Sequence, residues 1–325
     1  MNGFVNNILL IGLSRIVKKR VLKAIASINE IENWECATVS QQEDAKKLGA
    51  HKVYSNYDDA LKNTKAQWVY ISLPNSLHEK WIRAALNSNK NVIVDKPAVI
   101  DLVVGYELLA LARAKGLILT EAMTFGFHNQ FSFAKSLYEK LGSRIQNVHA
   151  CFTIPALSES DFRSNPNLGG GAFWDMASYS TGVGRVLFNE LPVSLDVLVQ
   201  GSLKNMSKIN NFSILAQYRS GEKVTGHFGF GFEYANTISL SGRDLNIELY
   251  RPFSLAESMD AELKGFSKNL EVKYTVKADD SFVNYLCWVI KLTQNEQKEM
   301  IWNNFEEGLR ATEILCSNIK NKERM

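Results

Sequence analysis

"NILLIGLSRIV", residues 7–17, decides how the first half of the chain is read. An apolar run ends on Gly12 and gives way at once to "RIVKKRVLKAIASI", whose apolar residues recur at helical spacing. A strand that stops on glycine and opens a helix is the place for a dinucleotide-binding G-x-G-x-x-G turn, where backbone N–H groups meet a pyrophosphate. Gly12 fills the first position, and Ser14 and Val17 replace the second and third glycines. A serine is small enough to allow fairly close phosphate approach, whereas valine demands looser helix–strand packing. The turn nominates Gly12, Leu13, Ser14, Arg15 and Ile16 as cofactor contacts, with an ordinary strand–helix turn as the alternative.

The same alternation continues outward. "WECATVS", "WVYISLPN", "NVIVDKP" and "LILTEA" read as strands, and "QQEDAKKLGA", "SLHEKWIRAALNSNK" (with Ser76 as its cap) and "DLVVGYELLALARAKG" as the helices between them. That order predicts a parallel sheet covered by helices, with right-handed crossovers. Later come longer strand candidates: "NVHACFTIP", "VSLDVLVQGSL", "FSILAQYRS", "KVTGHFGFGF", "NTISLSG" and "LNIELYR". "SGEK" between two of them is a hairpin signal. The expected fold class is therefore α/β: a doubly wound Rossmann domain over 1–125, then an α+β domain over 126–325 with a large, mostly antiparallel open sheet. The C-terminal helix is expected to return to the first domain.

A chain of 325 residues with 46% hydrophobic and 22% charged content suits two such domains. The net charge of +3 is spread without a basic tract, which argues against a nucleic-acid partner. No apolar run is long enough to span a bilayer, so no membrane role is expected. Cys36, Cys151, Cys287 and Cys316 lie far apart without CxxC spacing, which points to buried free thiols, the cytoplasm and no metal site.

The end of the second strand bears on the cofactor. An acid there would bond the adenosine ribose hydroxyls, but Ser40 takes the place. A neutral residue removes the repulsion against a 2′-phosphate, and Arg15 can stack on adenine or pair with that phosphate. NADP(H) is expected ahead of NAD(H).

Further along, "VIVDKPAV" (92–99) puts Lys96 at the carboxyl end of a parallel strand, where such sheets bind ligands. A lysine beside a cationic nicotinamide gives up its proton more easily, so proton transfer near neutrality is feasible. In "DFRSNPNLGGGAFWDMASY" three glycines permit close backbone approach, and they feed a helix on which Asp175 and Tyr179, four apart, share a face.

"VYISLPNSLH" (69–78), "VIVDKPAV" and "GGGAFWDMASY" (169–179), in that order, resemble the Gfo/Idh/MocA oxidoreductases, with the flavour of the glucose–fructose oxidoreductase and dihydrodiol dehydrogenase branch. The family's Glu-Lys-Pro is Asp95-Lys96-Pro97 here. The resemblance implies that Lys96 points toward both nicotinamide and substrate, with Asp95 beside it. It implies that Leu73, Pro74, Asn75 and His78 line the cofactor, with Glu121 near the nicotinamide ribose or carboxamide. Tyr179 stands where many relatives have a catalytic histidine, and Ala177 where they have glycine. By the same resemblance Lys96 and Tyr179 handle the proton, Asp175 fixes a hydroxyl, and Arg163 binds an anionic group or a neighbouring loop.

The expectation is an NAD(P)-dependent enzyme acting on the CH–OH or carbonyl carbon of a sugar, nucleotide sugar or polyol. It would pair as a homodimer or homotetramer through the open sheet. The alternative is an inactive family member that binds nucleotide or sugar as a regulator.

Overall fold

The structure, a computed structural model, describes residues 7–201 and 205–322. Its contacts divide the chain into two units. One holds the chain up to Ala122 together with Phe282–Leu309, and the other holds Met123–Ser281 with the chain from Arg310.

In the first unit six parallel strands form one sheet: β1 (Asn7–Ile11), β2 (Asn33–Ala37), β3 (Lys52–Tyr54), β4 (Trp68–Ile71), β5 (Asn91–Val94) and β6 (Leu119–Glu121), in the order β3-β2-β1-β4-β5-β6. Ile11 lies opposite Ala37 on one side and Ile71 on the other. Strand order reverses at β1, so the loops after β1 and β4 open a crevice at their carboxyl ends, the usual ligand position in such a sheet. The central strands are apolar on both faces, with Leu9, Leu10, Ile11, Val69 and Ile71 fully buried, because helices cover both sides. The helices are α1 (Leu22–Ala26), α2 (Gln42–Lys47), α3 (Tyr57–Asn63), α4 (His78–Asn87) and α5 (Leu102–Lys115). Returning chain completes the core: α8 (Ser281–Gln294) enters this unit from Phe282, and α9 (Lys298–Lys322) gives it Trp302, Phe305 and Leu309.

Local details differ from the sequence reading. Ser76 does not cap α4. It lies in a 3₁₀ turn over Asn75–Leu77, and the helix starts at His78 after an uncapped Leu77. The second strand stops at Ala37, so Ser40 sits in an exposed bend beyond it. A π-helical turn over Val17–Val21 precedes α1, opening on the fully buried Val17 that replaces the third glycine.

The second unit is built on eight strands: β7 (Asn147–Ile154), β8 (Ser194–Gly201), β9 (Ile209–Gln217), β10 (Lys223–Phe230), β11 (Ala235–Ser241), β12 (Leu245–Tyr250), β13 (Ala261–Ser267) and β14 (Leu270–Val276). Their order is β14-β13-β12-β11-β7-β10-β9-β8, antiparallel except for the parallel β7–β10 pair. "SGEK" is the β9–β10 hairpin turn, with Gly221 at φ 93°. Helix α6 (Asn129–Lys140) precedes the sheet, and α7 (Ala172–Phe188) packs on β7, β9 and β10. The inward phase supplies Phe212, Phe228, Ile238 and Leu240, all buried. The outward phase mixes apolar and polar side chains. Leu198 and Leu215 are exposed, but the neighbouring strands present His149, Thr225, His227 and Ser239.

Among the described residues, no helix is long and apolar enough to cross a membrane. None of the four cysteines is in a disulfide; Cys36 and Cys316 are buried, Cys151 is partly so, and Cys287 is exposed.

Candidate active site

The first unit gathers three loops at the carboxyl end of its sheet. After β1 the chain turns at Gly12, whose φ of 92° suits glycine. A Cβ there would lie 2.2 Å from the Ser72 carbonyl oxygen, so the turn and the loop after β4 close on each other only because residue 12 has no side chain. Beyond it Leu13 is buried, Ser14 is partly buried, and Arg15 and Ile16 are exposed. The crevice position, the glycine contact and the exposed Arg15 fit a dinucleotide phosphate and its flanking groups.

Ser14 turns its hydroxyl inward. Its Oγ lies 2.7 Å from Ser72 Oγ and accepts from the Val17 N–H at 3.2 Å. Ser72 in turn donates to Asp95 Oδ2, and Tyr70 donates to Asp95 Oδ1 at 2.5 Å. Both carboxylate oxygens of the Asp95-Lys96-Pro97 segment are therefore held from β4 and the residue after it. Removal from water pushes the Asp95 carboxyl up, while the Ser72 and Tyr70 hydroxyls, His78 and Lys96 pull it back. Burial, with the neighbouring carboxylate, keeps the fully buried Tyr70 phenol protonated and so a donor.

The Lys96–Pro97 peptide is cis. His78 fastens this turn to the loop after β4. Its Nδ1 is 2.9 Å from the Pro97 carbonyl oxygen and its Nε2 is 2.8 Å from that of Leu73. Burial lowers the pKa of this ring, against the pull of the two carbonyls and of Asp95 and Glu121. Both nitrogens face backbone carbonyls, so the neutral ring donates to one of them and packs its other nitrogen against the second, lying between the two loops. Glu121, at the end of β6, accepts from the Ala98 N–H at 2.8 Å, a third tie on the same turn. Tyr285 of α8 donates to the Glu121 carbonyl at 3.0 Å and lies 3.0 Å from Thr120 Oγ1. Leu73 and Pro74 are partly exposed and Asn75 is buried. Ser40 is exposed beyond β2, and on that side Asp44 is paired with Lys18 at 2.7 Å.

The second unit holds the other nominated residues. The glycine run seats the start of α7: Gly171 has φ 95°, and a Cβ on it would lie 2.5 Å from the Ser207 carbonyl oxygen. Asp175 and Tyr179 follow one turn apart in α7, both partly exposed on a helix otherwise largely buried. The Tyr179 ring is enclosed by Phe152, Phe253 and Phe125 at centroid distances of 5.1, 5.5 and 5.7 Å. These rings pack around it and limit its swing. Arg163 binds a neighbouring loop residue through a two-point pair, Nε to Asp161 Oδ1 at 3.0 Å and Nη2 to Oδ2 at 2.8 Å. Its Nη1 is 3.5 Å from Asp175 Oδ2. Asp161 first, then Asp175, hold the guanidinium charged, and the arginine in turn orients the Asp175 carboxylate.

Sequence reasoning missed Tyr70, Ser72 and Asp161. Tyr70 and Ser72 looked like strand filler because their partner is more than twenty positions away. A phenol within an otherwise apolar buried strand was the available signal, since such a group needs a partner. His128 caps α6 by accepting from the Gln130 N–H at 3.1 Å.

Comparison with known proteins follows the same division. Residues 6–123 match the oxidoreductase family with an NAD-binding Rossmann fold, and residues 139–249 match the GFO/IDH/MocA C-terminal domain. A dTDP-3,4-didehydro-2,6-dideoxy-alpha-D-glucose 3-reductase from Actinomadura kijaniata is 31% identical over 94% of this chain and 92% of its own length. The enzyme of the same description from Streptomyces violaceoruber is 30% identical over 75% of this chain and 72% of its own. Among solved structures, a 3-ketoreductase from Actinomadura kijaniata in complex with NADP and TDP-benzene superposes with a TM-score of 0.83 at 23% identity, covering 94% of each chain. With both domain matches in order and a relative above 30% identity along nearly the whole chain, the protein belongs to the Gfo/Idh/MocA family of NAD(P)-dependent oxidoreductases.

Proposed function

We propose that this protein is an NADP(H)-dependent oxidoreductase acting on a hydroxyl or carbonyl carbon of a sugar, nucleotide sugar or polyol. The observation that carries the reading is Lys96 at the carboxyl end of β5, in a turn held by Asp95, His78 and Glu121. A proton-handling group needs that kind of fixed placement. Bound nicotinamide supplies or accepts the hydride. Lys96 and Tyr179 hold the proton that the substrate oxygen gains or loses, and Asp175, oriented by Arg163, accepts a hydrogen bond from a sugar hydroxyl. The backbone N–H groups of the turn from Gly12 to Ile16, with the Arg15 side chain, carry the phosphates, and Leu73, Pro74, Asn75 and Glu121 shape the nicotinamide side.

NADP(H) is favoured by Ser40 in place of an acid and by the exposed Arg15. Relatives named for NADP, such as a D-xylose 1-dehydrogenase (NADP(+)) from Haloferax volcanii, support the same choice. Relatives named as dTDP-keto-sugar 3-reductases make nucleotide-linked ketosugars the first substrates to try. The protein pairs as a homodimer or homotetramer through the outward face of the eight-stranded sheet. Its cysteines, none of them in a disulfide, suit the reducing cytoplasm.

The test is a fluorescence titration with NADPH and NADH, followed by NADPH oxidation against TDP-linked ketosugars, free ketosugars and inosose-type ketones. Tight NADPH binding with turnover on one class supports the reading. Binding without turnover on any of them counts against it.

A further inference from the structure

We propose that Ser14 and Ser72 are positioning residues: together they carry a directional hydrogen-bond chain from the cofactor turn to Asp95 and so orient that carboxylate beside Lys96. The serine in place of the fingerprint's second glycine is then a working part of the catalytic strand end, not a weakened phosphate contact.

The proton inventory fixes the direction. An ionised carboxylate only accepts, so Asp95 Oδ1 takes the Tyr70 proton and Oδ2 takes the single Ser72 proton. Ser72 has then no proton left for Ser14, and the 2.7 Å contact between the two hydroxyls must be Ser14 donating to Ser72. Ser14 has spent its own proton inward, and its oxygen already accepts from the Val17 N–H. Its hydroxyl has no proton left for a phosphate, which would meet the backbone N–H groups of the turn instead. The order is Val17 N–H to Ser14 to Ser72 to Asp95, each member polarising the next. The chain starts in the turn that the cofactor phosphates would meet and ends on the residue before Lys96. The groups around Asp95 are Tyr70 of β4, Ser72 just after it, His78 at the start of α4, Lys96 itself and Tyr285 of α8, with Glu121 next to His78 and Tyr285. Of these, Lys96 is the one placed to act on substrate.

The ligand-binding and turnover arms of the test rest on the oxidoreductase reading, and the titration arm does not. Protein labelled with ¹³C at the aspartate carboxyls is titrated by NMR without cofactor, and again with NADPH added, with Asp95→Asn identifying the Asp95 signal; the cofactor-free titration decides the proposal. Ser72→Ala removes a direct donor to the anion, so the Asp95 titration moves to higher pH. Ser14→Ala moves it in the same direction by less, and the double variant moves it no further than Ser72→Ala, because Ser14 acts only through Ser72. Ser14→Gly, which restores the fingerprint residue, behaves as Ser14→Ala does and serves if the alanine variant folds poorly. NADPH binds Ser14→Ala as tightly as wild type while kcat falls several-fold with KM for NADPH unchanged. The proposal is overturned if Ser14→Ala leaves the Asp95 titration in place, or if it loosens NADPH while kcat is unchanged. A wild type that oxidises NADPH with no sugar sinks the activity reading instead, and the carboxyl titration still decides the proposal.

Discussion

Tyr70 and Asp95 meet at 2.5 Å, phenol to carboxylate, from the ends of adjacent strands. Tyr70 is fully buried, so this bond has no water to replace it from the phenol side. Tyr70→Phe removes the donor and leaves Asp95 Oδ1 short of a partner. The expected loss of stability is about 1–2 kcal/mol, because a partly buried carboxylate recovers some solvation. Urea unfolding measures it. An unchanged midpoint would show that the bond contributes nothing.

The cofactor preference is tested at the end of β2. Ser40→Asp places a negative charge where an adenosine 2′-phosphate would lie. Two like charges about 4 Å apart in water repel by ~1 kcal/mol, so NADPH affinity is expected to fall by about fivefold and NADH affinity to hold or rise. Titration with both cofactors reads the ratio directly. If the ratio does not move, the 2′-phosphate is bound elsewhere.

His78 predicts a dependence of stability on pH. Its folded pKa lies below the 6.5 of a free imidazole. As pH falls through 6.5 the unfolded chain takes up a proton that the folded ring still refuses, so stability is full above that value and is lost below it, down to the folded pKa. Comparing urea midpoints of wild type and His78→Gln at several pH values isolates this residue from the other histidines. The wild type should show the steeper acid-side loss, and parallel curves would contradict the assignment.

Much of the fold was legible because its strands are short apolar runs stopped by glycine or proline. "NILLIG" and "WVYISLP" are both of this kind, and each is buried on both faces. The β13–β14 hairpin was not read. Its strands, "AELKGFS" and "LEVKYTV", carry charge on an open edge, and its turn is Lys268-Asn269, two non-glycine residues with positive φ. β3, three residues long, was also passed over. At the site, Lys96 was legible from a motif local in sequence. The ties that hold it were not, since Tyr70, His78 and Glu121 reach its turn from three other parts of the chain. Which residue a buried hydroxyl faces depends on strand register, and register is set by packing that no local pattern reports.

Lys96→Met keeps the apolar stem and removes the proton and the charge. Turnover should fall ~10²–10⁴-fold, the usual worth of a positioned proton donor, with NADPH affinity little changed. Tyr179→Phe should also slow turnover, and the two losses should not add, since both residues would serve one proton. Steady-state kinetics on a reactive ketosugar decides this. Full activity in Lys96→Met would remove Lys96 from the chemistry.

The most direct measurement follows the hydride itself. NADPH carrying deuterium at C4 of the nicotinamide, in separate preparations for each face, is mixed with the enzyme and a TDP-linked ketosugar, and the sugar is analysed by mass spectrometry. The account predicts that one preparation, and not the other, delivers deuterium to the carbon that becomes CH–OH, and that Lys96→Met slows the delivery without changing the face. NADPH that binds tightly while neither preparation passes deuterium to any sugar of the panel would contradict the account.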